Sequence, residues 1–163
     1  MANSDGPEGV GGWMWLFLFG FGLVSAFSLI FGTAANLYGD SGVAQFYGDR
    51  WFAVQLGEWS IAAATLALIA YTIWRLFNDK RPRTVRLTII AIPLVTLVFP
   101  IIEIVMVSVV GGVTLSAAAT EVWPQLIQGT FYSAVWCTYF NVSKRVKNTY
   151  DRREEEELAN VFD

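Results

Sequence analysis

Four apolar runs divide this chain, at residues 13–32, 53–77, 87–110 and 122–140, with polar stretches between them. Each is about as long as the ~20 helical residues that cross a bilayer core of ~30 Å. Lipid offers no partner to backbone polar groups, so only helices or closed barrels span it. The runs lack the in–out alternation of barrel strands, which repeats over about 10 residues. The expected fold is therefore all-α: an integral membrane bundle of four transmembrane helices. The first run exceeds a signal-peptide core and follows no Lys or Arg, so it reads as a retained span.

Lys and Arg set the orientation. Arg75, Lys80, Arg81, Arg83 and Arg86 cluster at the end of run two and before run three. Lys144, Arg145, Lys147, Arg152 and Arg153 follow run four. Arg50 alone falls between runs one and two, and the segment 111–121 has none. Four spans put both basic clusters on one side, so both termini are expected in the cytoplasm. Trp13, Trp15, Trp74 and Trp136 then fall at the inner interface, and Trp51 and Trp123 at the outer one.

The predicted organisation has three parts. Residues 1–12 form a disordered, Gly-rich leader; residues 13–143 form the transmembrane domain; residues 144–163 form a charged cytoplasmic tail. Residues 33–52 read as an external connection. It carries the near-repeat Tyr38-Gly39-Asp40 and Tyr47-Gly48-Asp49, expected to form two turns with Tyr at the interface. Residues 78–86 read as a basic turn. Thr120 or Glu121 is the expected cap of run four, with Pro124 in its first turn.

Composition excludes much chemistry. The chain has no His and one Cys, so the commonest general base and metal ligand are missing and no internal disulfide can form. No metal site, cofactor motif or catalytic motif is expected. An intramembrane enzyme would have to run on carboxylates and Tyr alone.

Polar residues inside the runs are the candidate site. Ionisable groups are costly in lipid and usually face protein or water. Glu58, early in run two, and Glu103, late in run three, both fall roughly 7–11 Å outside the midplane at 1.5 Å per residue. Glu58, Ala62, Thr65 and Thr72 form one helical stripe. Pro93, Thr96, Pro100 and Glu103 form another, and Gln125, Gln128, Tyr132, Trp136 and Tyr139 a third. The expected intramembrane cluster is Glu58, Thr65, Glu103, Gln125, Gln128 and Tyr132. One account of it is structural, with neutral carboxyls and amides hydrogen-bonding between helices. The other makes Glu58 and Glu103 a proton- or cation-responsive pair open to the outside. Pro93 and Pro100 also free carbonyls one turn back. Gly129, Ser133 and Cys137 mark a close-packing face, as do Gly22 with Ala26, Ser28 with Gly32, and Ala63 with Ala67.

The basic cluster after run four is a second candidate site. Lys144, Arg145 and Lys147 are placed to attract anionic lipid headgroups, at about 1 kcal/mol per basic residue near the surface. No nucleic-acid role is expected, because residues 154–157 are acidic.

At the chain ends the sequence resembles a family. Trp136-Cys137-Thr138-Tyr139-Phe140, followed by Ser143-Lys144-Arg145-Val146-Lys147-Asn148-Thr149-Tyr150, is similar to the C-terminal signature of domain-of-unknown-function family 2569. Gly11-Gly12-Trp13 resembles its opening, with Met14 in place of Leu, and Thr138 stands where the family usually has Pro. Glu58 matches an acidic position early in the second span. The resemblance implies a small, mostly bacterial, four-span protein and no defined activity.

Two functional expectations follow. The first is a non-enzymatic accessory subunit acting through lipid or protein contacts, with a second copy or a larger membrane complex as partner. The second is a small oligomeric transporter or proton-coupled permeability element using Glu58 and Glu103.

Overall fold

A computed structural model describes residues 11–38 and 41–150, apart from the side chains of Ser41 and Glu121. Most of the leader, Gly39 and Asp40 of the near-repeat, and tail residues 151–163 lie outside the described residues. The described chain is helical throughout, without strands. Its helices are α1 (Trp13–Tyr38), α2 (Ser41–Tyr47), α3 (Trp51–Asn78), α4 (Pro82–Gly111), α5 (Leu115–Val142) and α6 (Lys144–Tyr150). Three helical stretches are long and apolar enough to cross a membrane: Trp13–Tyr38, Gly42–Asn78 and Pro82–Gly111. The fourth long helix, α5, has 28 residues.

The ends of the elements follow local chemistry. Pro82 begins α4, where a missing N–H costs nothing. The expected basic turn thus shrinks to residues 79–81. Gly112 ends α4 in the left-handed region (φ 74°). The Arg50 guanidinium also lies against it, where a Cβ would stand. This places the one basic residue of that end at the negative pole of the α4 dipole. The cap of α5 is Thr114, whose Oγ1 accepts from the Ala117 N–H at 3.4 Å, rather than Thr120 or Glu121. Pro124 accordingly lies inside the helix.

Neighbouring long helices run antiparallel, with α3 packed on α1 and α4, and α4 on α5. The main core lies toward the end that carries the basic clusters. There Phe17 stacks on Phe21 (5.0 Å between ring centroids) and meets Trp136 (5.1 Å) and Phe140 (4.9 Å) edge-on. These rings carry α1 across to α5. Trp136 is thus a core residue, 7% exposed, and not an interfacial anchor, whereas Trp13, Trp15, Trp74 and Trp123 are exposed. Its ring fills the gap between α1 and α5, which buries more apolar area than a place in the headgroups.

One small-residue face of α5 meets α4 at the carbonyls its prolines leave. Pro100 offers no N–H to Thr96, one turn back. Gly129 lies directly on that Thr96 carbonyl, and Ser133 Oγ is 2.7 Å from Thr96 Oγ1. Pro93 offers none to Ile89, and the Cys137 thiol donates to the Ile89 carbonyl at 3.5 Å. A π-helical stretch, Leu94–Val98, lies between the two prolines. Gly22 and Ala26 line the seam between α1 and α3. Ser28, Gly32, Ala63 and Ala67 are exposed, so the close packing expected of them is not made within the chain.

Candidate functional site

At the end remote from the basic clusters the bundle opens. Glu58 projects from α3 and Glu103 from α4 into one cavity of about 870 Å³. Glu58 is buried, with 8% of its surface exposed, and Glu103 is half-buried. Among the described residues, the ion pairs join Arg75 and Arg81 to Asp79 at the opposite end, and no basic side chain pairs with either glutamate. The rest of the lining is mostly apolar. Val54, Ile104, Val107 and Val122 form walls, and Asn36, Phe46 and Tyr47 contribute from the end of α1 and from α2.

The cavity exists because the segment 33–52 is not an open loop. Helix α1 runs on to Tyr38, burying Thr33 and Leu37, and α2 follows. Val43, Phe46 and Tyr47, at helical spacing, face the carboxyls across the cavity. That spacing was the signal available in the sequence. Gly48, with φ 53°, begins the turn that returns the chain into α3.

The other members of the expected cluster do not join the glutamates. Thr65 is buried, but its hydroxyl donates to the Ile61 carbonyl at 2.8 Å on its own helix. Tyr132 packs against the aromatic core, its hydroxyl buried beside Gly20 and without a partner. Gln125 and Gln128 are exposed. The face of α5 turned inward is Val122, Gly129, Ser133, Trp136 and Phe140. Close approach at Gly129 sets that rotation, and it carries the two amides outward.

The second candidate site is more built than a charged tail. Helix α6 turns under the bundle and buries Val146, Thr149 and Tyr150. The Tyr150 hydroxyl donates to the Leu76 carbonyl at the end of α3 (2.7 Å). Burial, with a smaller contribution from Tyr139, pushes the Tyr150 phenol above its ordinary range. The Arg145 guanidinium lies against Gly11 and Gly12, the latter at φ 57°. Lys144 and Lys147 remain exposed. No group of three or more His, Cys, Asp or Glu side chains gathers to hold a metal among the described residues.

These features define a helical membrane protein with an acidic cavity at one end of its bundle. The chain belongs to the family described as Protein of unknown function (DUF2569), whose model matches residues 7–150. No curated protein and no solved structure matches it.

Proposed function

We propose that the protein is a non-enzymatic, multi-pass accessory subunit of a bacterial cytoplasmic membrane. In this reading α5 is a fourth span, both termini are cytoplasmic, and α5 is the face that contacts a second copy or another membrane protein. The observation that carries it is Gln128, exposed near the midpoint of α5, with Gln125 exposed one turn away. A glutamine amide facing hydrocarbon leaves its donors and acceptor unmet. Against another helix the same group hydrogen-bonds, for about 0.6 kcal/mol on average. Exposed Lys144 and Lys147 extend the contact to anionic headgroups.

Blue-native electrophoresis in mild detergent tests this. The expected result is a species heavier than one chain, or a co-purifying protein, that Gln128→Leu reduces to monomer. A strict monomer with no bound protein or enriched lipid would overturn it. A transporter is the second reading, favoured by Glu58 and Glu103 sharing one cavity. Liposome flux for Glu103→Gln matching wild type, with both equal to empty vesicles, would remove it.

A further inference from the structure

We propose that the cavity between α3 and α4 is a binding site for an organic cation: a protonated or quaternary amine, or a similar onium centre, carried on an apolar body. Three observations lead there. Two carboxylates converge on the cavity, and Glu58, one of them, is more than nine-tenths buried. Among the described residues neither has a basic partner, so the acidic charge is left for something that enters. The volume, about 870 Å³, falls in the range of roughly 300–1,000 Å³ that holds small organic ligands.

The lining selects the kind of cation. A calcium ion takes 6–8 oxygen ligands in typical sites, and magnesium keeps near-octahedral geometry with several waters. Here two carboxylates share the cavity with Asn36 and Tyr47, while the walls, which include Val54, Ile104 and Val107, bring no side-chain oxygens. Those walls suit a hydrocarbon body. Phe46 and Tyr47, on the α2 side, add aromatic rings that attract a cation by their quadrupole. The bound cation would neutralise the two carboxylates while its body covers the valines. The site is distinct from the α5 contact face and does not depend on it.

The test is equilibrium binding of tetraphenylphosphonium to the full chain in phosphatidylcholine nanodiscs. Tetraphenylborate, of similar size and opposite charge, controls for partition into lipid. Saturable binding of one tetraphenylphosphonium per chain is expected, weakened at least tenfold by Glu58→Gln and by Glu103→Gln. Val107→Trp should also weaken it, because the indole takes up part of the cavity while both carboxyl groups are kept. Should Glu58→Gln fail to fold, Glu103→Gln and Val107→Trp decide the matter. Gln128→Leu should leave binding unchanged, so this site and the proposed assembly can fail separately. Absent saturation, equal binding by wild type and the folded variants, equal affinity for tetraphenylborate, or stoichiometric displacement by calcium would each overturn the proposal.

Discussion

Replacing Gly129 by alanine tests the tightest crossing in the fold. A Cβ at Gly129 would overlap the Thr96 carbonyl oxygen and stand 3.1 Å from the carbonyl carbon and 3.2 Å from the Thr96 Cβ. The obstructing atoms belong to backbone, so no side-chain rotation relieves them. An ordinary C···O contact is about 3.3–3.6 Å, so α4 and α5 must separate by roughly 1 Å. Overpacking of this kind costs about 1–3 kcal/mol. Separation also breaks the Thr96–Ser133 hydrogen bond, worth about 0.6 kcal/mol. The sum is about 1.6–3.6 kcal/mol, a fall of roughly 15- to 450-fold in the folded-to-unfolded ratio. Dodecyl sulfate titration in bicelles, followed by circular dichroism, reads this directly. Two controls sharpen it. Gly32 has open space where its Cβ would be, so Gly32→Ala should cost nothing. Ser133→Ala should cost about 0.6 kcal/mol in wild type and almost nothing on the Gly129→Ala background, because the bond is already gone. Wild-type stability in Gly129→Ala, or strictly additive costs, would refute the close approach.

Tyr150→Phe should destabilise the protein by about 1–2 kcal/mol, because it strands the buried Leu76 carbonyl; the same titration measures it. Tyr150 is held neutral in the fold above the ordinary phenol value of about 10. Its contribution is therefore complete below about pH 10 and is lost as pH rises through the higher folded value. Alkaline unfolding of wild type should consequently fall away more steeply above pH ~10 than that of Tyr150→Phe, and parallel curves would refute this. Reporter fusions at Gly42 and Lys80 should land in opposite compartments; a shared compartment would refute the crossing between them. Thr114→Ala should cost about 0.5–1 kcal/mol through loss of the α5 cap, visible as a lower dodecyl sulfate midpoint.

The helices were legible because apolar length alone specifies them in lipid. Less legible was their extent. Residues 33–38 and 115–121 are polar enough to read as connection, yet they continue α1 and open α5. A started helix extends one residue at a time at little cost, and Thr33 and Leu37 gain burial by doing so. The glutamates' shared cavity followed from matched depth: two antiparallel helices with acids equally far from their centres bring them level. The rotation of α5 did not follow. Its polar stripe and its small-residue stripe are offset around one helix, and both cannot face inward. Gln125 and Gln128 argue for one face, Gly129 and Ser133 for the other. Contact distance decides between them, since small residues let backbones approach where long amides hold them apart.

The same comparison explains why the prolines of α4 and the small residues of α5 belong to one design. Pro93 and Pro100 each deprive a carbonyl of its partner one turn back, at Ile89 and Thr96. A large residue on α5 would hold the neighbouring helix away and leave those carbonyls to hydrocarbon, at several kcal/mol each. Cys137 instead donates a weak bond to Ile89, and Gly129 lays its backbone on Thr96. The contact is therefore reciprocal: the prolines free the carbonyls, and the small residues allow the close approach that covers them. Pro100 also stands one turn before Glu103 on α4. The closely packed stretch with its two prolines and π-helical turn thus leads α4 up to the cavity. A change at Gly129 that parts the helices should carry Glu103 with it, which links the stability of this crossing to the geometry of the acidic pair.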